Sequence, residues 1–365
     1  MRRIIFFLAF IFISTLASAQ EFAAVTPGRT FSFPQDHASH KPFKTEWWYF
    51  TGHLKSPEGR RFGFQWTVFR IALRAPTSEK IETPSEWRAD DIYAGHVAIS
   101  DLDEKQFYFA QSSFRGAMGL ASSSAEKLEL KLPGFSAEST ASSLQLSAQR
   151  DKIALNLQMN LNAPVLLQGE KGYSPKSFEA GKASYYYSMP HLATQGSLKI
   201  GEKIYSVQGQ AWMDHEFGSD KLSKSQTGWD WFGLPLGEKS SLTLYRVRNE
   251  EGPSADFLAG TYVDQAGLPH ALKKADIVLT PQSYWTSPAT KAKYPIAWQI
   301  EIPQYRLKLK VDADFAQQEL DTTATTQVIY WEGSVQVRGE AEGLPINSQG
   351  YLEMTGYARK FERKI

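Results

Sequence analysis

Three of the seven histidines lie in two acid-rich places, and these residues have the types and spacing needed for proton transfer. The first place is Asp36-His37-Ala38-Ser39-His40, which runs on towards Glu46. The second is Asp214-His215-Glu216, shortly before the aromatic run Trp229-Asp230-Trp231. A histidine flanked by carboxylates can stay protonated near neutral pH and can then donate its proton.

The second place suits acid catalysis, in which a side chain protonates a carbon–carbon double bond. In this interpretation His215 is the proton donor, and Asp214 or Glu216 orients it. Because neighbouring strand residues point to opposite faces, we expect only one of these carboxylates to share a side with a given cavity. The alternative is structural: both carboxylates form salt bridges or accept backbone N–H groups where a strand enters a turn.

The aromatic run would complete such a site. The ring faces of Trp229 and Trp231 can stabilise a carbocation, and Asp230 between them can hold the attacking water. Packing inside a barrel explains the same tryptophans equally well. The candidate ligand contacts, each with that structural alternative, are Glu46, Trp47, Trp48, Arg70, Trp229, Trp231, Tyr245 and Arg246.

Histidines beside carboxylates also raise the question of a metal. Neither His37, His40 and Glu46 nor the second cluster has a recurring zinc-ligand spacing, so we predict no metal site and no cofactor. The sequence has no Gly-x-Ser-x-Gly elbow, P-loop or dinucleotide fingerprint. Serine hydrolase, nucleotide and nicotinamide chemistry therefore lose support.

The N-terminus and the composition indicate an exported protein. Arg2 and Arg3, the apolar stretch from Ile4 to Leu16 and the small residues Ala17-Ser18-Ala19 are typical of a Sec-type signal peptide, residues 1–19, cleaved near Ala19. There is no cysteine for a disulfide or a thiolate metal site. Without the two signal arginines, 38 basic residues face 39 acidic ones, which argues against nucleic acid as a partner. We expect a periplasmic or secreted protein with no membrane span after cleavage.

Strands must position the candidate residues, because period-2 alternation dominates the chain. The segment from Ile153 to Leu161 alternates apolar and polar residues, and the segments from Tyr305 to Val311 and from Ser334 to Arg338 repeat this pattern. No long segment holds a helical period, and turn clusters separate the strands. The sequence therefore predicts an all-β fold.

An internal echo divides the chain into two halves. Trp47 to Phe50, followed after a polar hairpin by Thr67 to Arg70, resembles Trp229 to Phe232 followed by Thr243 to Arg246. In this alignment the first tryptophans and the final arginines correspond. The echo predicts two similar barrels, each closed by an arginine lying over a tryptophan; chance similarity between aromatic strands is the alternative.

Longer blocks carry a family resemblance. The blocks are Thr45-Glu46-Trp47-Trp48-Tyr49, Asp214-His215-Glu216-Phe217-Gly218, Gly228-Trp229-Asp230-Trp231-Phe232, Tyr330-Trp331-Glu332-Gly333 and Gly350 to Tyr357. In this order they resemble the carotenoid 1,2-hydratase/AttH family, bacterial proteins catalogued as lipocalin-like or secreted hydrolases. The resemblance implies two lipocalin-like antiparallel β-barrels packed together, residues 20–215 and 216–365. It also implies a ligand site near the domain interface or a barrel mouth.

The resemblance leaves two functions open for an exported member. The first, which we prefer, is binding of an apolar small molecule such as a lipid or an isoprenoid. Exported relatives are associated with ABC-type export systems, so an ABC-type transporter is an expected partner. The second is a cofactor-independent hydratase or hydrolase, because the pigment enzymes of the family hydrate isoprenoid double bonds.

Overall fold

The computed structural model describes residues 21–76, 85–220 and 222–361. The predicted signal peptide lies outside the described residues. Within them the chain is dominated by β-strands, and the helical segments are short 3-10 turns at Gln35–His37, Pro253–Ala255, Lys274–Asp276 and Pro303–Tyr305. No helix in this part of the chain is long and apolar enough to span a bilayer.

The strands form two antiparallel sheets. The first contains β1 (Thr45–Lys55), β2 (Arg61–Ala72), β3 (Asp91–Asp101), β4 (Gln106–Arg115), β5 (Ser122–Ser123), β6 (Glu129–Leu132), β7 (Phe135–Ser139), β8 (Ser143–Arg150), β9 (Ile153–Asn160), β10 (Leu166–Leu167), β11 (Tyr173–Pro175), β12 (Ala183–Ile200) and β13 (Lys203–Gly218). The second contains β14 (Gln226–Pro235), β15 (Ser241–Asn249), β16 (Phe257–Val263), β17 (Pro269–Lys273), β18 (Val278–Thr286), β19 (Lys293–Ile302), β20 (Leu307–Ala313), β21 (Glu319–Thr322), β22 (Val328–Ala341) and β23 (Leu344–Thr355).

The two sheets share one strand order. In the first sheet the order is β4-β3-β2-β1-β13-β12-β9-β8-β7-β6-β5, and in the second it is β17-β16-β15-β14-β23-β22-β20-β19-β18. Each half therefore starts with a four-stranded meander, and its last strand returns beside its first. Each sheet curls around its own core as a half-barrel, which confirms the predicted all-β fold of two packed, barrel-like units.

Strand pairing changes the alignment of the two halves that the sequence predicted. It shifts β1 by two residues relative to β14. Arg70 lies opposite Glu46 on β1, whereas Arg246 lies opposite Asp230 on β14. When these acid–arginine pairs are aligned, Trp47 corresponds to Trp231 rather than to Trp229. The sequence alignment matched tryptophans, but the sheets repeat the charged pair.

The change from one sheet to the other comes after the predicted division between residues 215 and 216. That division falls inside β13, which stays paired with β1 as far as Gly218. The second sheet begins at Gln226 with β14.

Apolar residues on alternating strand positions form the two cores. In β9, Ile153, Leu155, Leu157 and Met159 are buried, while Asn156 and Gln158 are exposed. Further aromatic residues pack between the sheets rather than inside either of them. This third cluster consists of Tyr49, Trp212, Trp231, Tyr245, Val247 and Tyr351.

Leu157→Ala should lower the free energy of unfolding by about 2–5 kcal/mol, because it leaves a cavity in the first core. Gln158→Ala, the exposed neighbour on the same strand, should change it by less than about 0.5 kcal/mol. Urea denaturation of the two variants tests this. Equal effects would contradict the assignment of β9 faces.

Candidate functional site

A cavity of about 300 Å³ lies between the two sheets. Its walls come from the strand faces that point away from the two cores, with β1, β2 and β13 on one side and β14, β15, β22 and β23 on the other. Aromatic side chains dominate the lining: Trp47, Tyr49, Phe69, Tyr186, Trp229, Trp231, Tyr245 and Tyr330. Carboxylates are the main charged groups among them: Glu46, Asp214, Glu216, Glu332 and Glu353.

Eight of the residues predicted from the sequence line this cavity. They are Glu46, Trp47, Arg70, Asp214, Glu216, Trp229, Trp231 and Tyr245. Four others, Trp48, His215, Asp230 and Arg246, are not part of its wall. The structure therefore separates the proposed proton donor and the proposed water-binding residue from the carboxylates expected to work with them.

Strand alternation explains why His215 is separated from its neighbours. Asp214 and Glu216 are two residues apart on β13, so both point into the cavity and His215 points towards the first core. The expectation that only one carboxylate shares a side with the cavity is thus wrong. His215 stacks on Trp48 with 4.8 Å between ring centroids, and its Nε2 lies 2.9 Å from Glu46 Oε1.

Asp230 belongs to the interior side of the second sheet. It is fully buried, on the same strand face as Phe232 and Leu234. Arg246 Nη2 lies 2.7 Å from Asp230 Oδ2, and the guanidinium lies 5.1 Å from the centroid of the Trp298 ring. The expected arginine over a tryptophan is therefore found in the second half of the chain, and Asp230 is neutralised by it.

Arg70 makes a different set of contacts. Its Nε donates to Glu46 Oε2 at 3.0 Å, and its Nη1 donates to Asp91 Oδ1 at 2.8 Å. Its Nη2 also donates to the backbone carbonyls of His40 and Phe43. Arg70 is completely buried, so it holds the segment before β1 against β2.

Three side-chain donors hold the Asp214 carboxylate in the cavity wall. Its oxygens accept hydrogen bonds from Tyr186 Oη and Ser188 Oγ, both at 2.5 Å, and from Trp212 Nε1 at 2.7 Å. Burial raises the pKa of Asp214 to about 7, although these three donors favour its charged form. The hydrogen bonds fix the carboxyl group in the wall between β12 and β13.

Glu332 and Glu353 were not among the predicted site residues. They lie directly opposite each other on β22 and β23 and share the strand face that lines the cavity. Burial raises the pKa of Glu332 well above its usual value, and the neighbouring Glu353 raises it further. Neither oxygen of Glu332 makes a well-formed hydrogen bond within the described residues.

Glu353 differs from its neighbour in having a firm donor. Trp229 Nε1 donates to Glu353 Oε1 at 2.8 Å. Burial raises the pKa of Glu353 to about 7, and the Trp229 N–H opposes this rise while Asp214 and Glu216 add to it. The two glutamates therefore form a pair in which Glu332 holds its proton more firmly than Glu353.

The sequence did contain a signal for this pair. Each glutamate interrupts an aromatic or apolar strand, in Tyr330-Trp331-Glu332 and in Tyr351-Leu352-Glu353-Met354. Burial of a carboxyl group is costly, so one at a position that alternation predicts to be buried indicates a paired or functional residue. Histidines beside carboxylates are the more obvious candidates for proton transfer, and the two glutamates were therefore missed.

Lys176 adds a buried cation to the wall. Its Nζ lies 4.7 Å from the ring centroid of Tyr186, 4.2 Å from that of Tyr245 and 3.4 Å from Glu216 Oε2. It also donates to Ser174 Oγ at 3.0 Å. The positive charge is thus shared between a carboxylate and two ring faces.

The two histidine clusters of the sequence meet in space at Glu46, which borders the cavity while its buried carboxylate faces the first-core side of β1. Glu46 Oε1 lies 2.8 Å from His40 Nδ1 and 2.9 Å from His215 Nε2. Although burial opposes it, the hydrogen bonds from His215 and His40 hold the pKa of Glu46 well below its usual value. Burial lowers the pKa of His215 despite the adjacent carboxylate. His215 is therefore poorly suited to hold a transferable proton near neutral pH.

Comparison with known proteins finds AttH-like proteins over most of the chain. A family model described as AttH-like matches residues 24–357. A solved structure of a protein of Nitrosomonas europaea classed with AttH is 30% identical, covers 92% of this chain and 100% of its own, and superposes with a TM-score of 0.82.

Two more distant proteins are named for the addition or removal of water. Kievitone hydratase from Nectria haematococca shares the fold at a TM-score of 0.70 and 12% identity, over 93% of this chain and 97% of its own. The dehydratase asqC of Emericella nidulans is 20% identical over 217 residues, which span 58% of this chain and 60% of that protein.

Glu353→Gln should flatten the pH dependence of stability between about pH 4.5 and 7. A carboxyl group whose pKa is raised by folding binds more protons in the native state, so in the wild type the free energy of unfolding falls as the pH rises through this window. Urea denaturation across this range measures the slope. Glu340→Gln, on the exposed part of β22, is the control for the lost carboxyl group; equal slopes in all three proteins would contradict the prediction.

Proposed function

The chain belongs to the AttH-like family, and we propose that it is a hydro-lyase that adds water to, or removes it from, a mainly apolar small molecule in the cavity between the sheets. One observation carries the proposal. Glu332 and Glu353 are cross-strand neighbours with raised pKa values, and they face a cavity lined by aromatic rings. General acid–base hydration of a double bond uses a proton donor and a proton acceptor beside the bound substrate.

The two glutamates have different roles in this mechanism. Glu332, which holds its proton more firmly, donates it to one carbon of the double bond and forms a new C–H bond. A water molecule bonds to the other carbon and gives a proton to Glu353, whose carboxylate accepts the Trp229 N–H. Transfer of that proton from Glu353 to Glu332 restores the pair, and the reverse sequence removes water.

The aromatic wall supports the same chemistry. Protonation of an isoprenoid double bond develops positive charge on carbon, and ring faces stabilise such charge through their quadrupoles. Trp229, Trp231 and Tyr245 lie in the part of the wall that comes from β14 and β15. These roles replace those that the sequence analysis gave to His215 and Asp230.

Binding without chemistry is the second candidate, since the lining is largely aromatic. In that case the protein carries a lipid or an isoprenoid. We further propose that it is exported and works with an ABC-type transporter. The signal-peptide pattern of residues 1–19 supports export. The association of exported relatives with ABC-type export systems supports the transporter.

Glu332→Gln and Glu353→Gln should each reduce turnover by at least about 100-fold, because each removes one partner of the proton transfer. The assay incubates purified protein with short monoterpenoid and sesquiterpenoid alkenes and their alcohols in isotope-labelled water. Mass spectrometry then follows label in the products. A cavity of about 300 Å³ favours these small probes over long carotenoids.

Binding is measured separately through quenching of tryptophan fluorescence, because three tryptophans line the cavity. Both variants should bind the probes as the wild type does, and Glu340→Gln on the same strand as Glu332 should retain turnover. Probe binding without any incorporation of label by the wild type would replace the hydro-lyase with the carrier.

A further inference from the structure

Three residues outside the proposed chemistry bring their side-chain donor atoms to one point. They are His40, Glu46 and His215, and these atoms all lie within 4.8 Å of one another. His40 comes from the segment before β1, Glu46 from β1 and His215 from β13. Two imidazoles and one carboxylate form a common ligand set for zinc and related divalent metals.

The second nitrogen of each imidazole is also held. His40 Nε2 lies 2.9 Å from Asp36 Oδ1, and His215 Nδ1 lies 3.2 Å from the backbone carbonyl of Asp36 and 3.0 Å from Tyr187 Oη. Metal-binding histidines almost always donate their other N–H to a carboxylate or a carbonyl oxygen. Here one residue, Asp36, supplies both kinds of acceptor, so the nitrogens nearest Glu46 are left to bind a cation.

Ring stacking and Arg70 fix the remaining orientations. The His40 ring stacks on Phe217 with 3.6 Å between centroids, and His215 stacks on Trp48. Arg70 Nε donates to Glu46 Oε2, which directs Oε1 towards the two imidazoles. Ser39 Oγ also donates to Oε2, and the His40 backbone N–H reaches both oxygens, so the carboxylate is fixed with Oε1 facing the two imidazole nitrogens.

We propose that His40 Nδ1, Glu46 Oε1 and His215 Nε2 bind a divalent transition metal ion, with zinc as the first choice. An ion about 2.0–2.1 Å from each ligand needs ligand atoms about 3.3 Å apart, so the separations of 2.8 and 2.9 Å between Oε1 and the two nitrogens must widen slightly, and the nitrogens, which lie within 4.8 Å of each other, must take a similar separation. Each ligand nitrogen binds the ion in its deprotonated form, so any proton it shares with Glu46 is released.

The surroundings define how the ion enters and what it does. His40 is the one member of the trio with exposed side-chain surface, 12%, whereas Glu46 and His215 have none. A water molecule at the fourth position therefore lies on the His40 side. Behind the cavity wall, the ion links the segment from Asp36 to Glu46 with β13. This structural role is independent of the proposed hydro-lyase.

The test titrates Zn²⁺ into full-length protein freed of metal with a chelator, using calorimetry and thermal unfolding. The wild type should bind one zinc ion per chain and unfold at a higher temperature with zinc than without it. His40→Gln and His215→Gln should lose both effects. Asp36→Asn, which removes the carboxylate that supports His40 and also pairs with Arg29 and the Ser32 N–H, should weaken binding roughly 10–100-fold.

His270→Gln is the matched control, because His270 pairs with a carboxylate, Asp264, in the second half of the chain, with Nε2 2.8 Å from Oδ2. It should bind zinc as the wild type does. Circular dichroism shows whether each variant is folded. Co²⁺ binding supplies a second readout, since its visible absorption reports a four-coordinate nitrogen and oxygen site.

Absence of stoichiometric zinc binding by the wild type would overturn the proposal, and the trio would then be a purely proton-bridged cluster. Equal zinc affinity in the wild type, His40→Gln and His215→Gln would overturn it too, because the ion would then bind elsewhere. Neither result depends on turnover, so failure here is separate from failure of the hydro-lyase assay.

Discussion

β13 has a protein interior on both of its faces near its end, and every residue from Ala211 to Gly218 is buried. One face contacts the first core and the other contacts the second sheet. Because neither face of such a strand is exposed to solvent, a polar side chain on either face cannot reach bulk water. It must be paired, hydrogen-bonded or kept neutral, because an isolated buried charge is too costly.

The protein meets this requirement differently on the two faces. On the core side, Glu46 is charged and is surrounded by Arg70, His40 and His215. On the cavity side, burial and the neighbouring Glu353 raise the pKa of Glu332, and hydrogen bonds hold Asp214 in place. The first arrangement fixes the chain, whereas the second places carboxyl groups with raised pKa values next to a largely aromatic space.

Much of the fold could be predicted from the sequence, because period-2 alternation and the internal echo are local or repeated signals. The site was harder. The contact between His40 and His215 depends on the pairing of β1 with β13, across more than 150 residues, and no local spacing records it. Both faces of β13 contact an apolar interior. The sequence alone therefore does not show whether His215 faces the first core or the cavity.

The Glu332–Glu353 pair shows a second limit. Each glutamate stands in a recognisable aromatic strand, but their adjacency follows from the register of β22 with β23. In the sequence each carboxyl group stands alone, whereas in the sheet the two are cross-strand neighbours. Histidines titrate near neutral pH in water, but burial in the cavity wall raises the pKa values of ordinary glutamates.

The alternation along β1 separates two structural roles. Trp48 and Phe50 belong to the first core, while Trp47 and Tyr49 belong to the cavity wall. From Trp47 to Phe50, even-numbered positions are therefore held by core packing, and odd-numbered positions face the cavity. Two half-barrels packed through their outer faces enclose a space whose lining can be changed without disturbing either core.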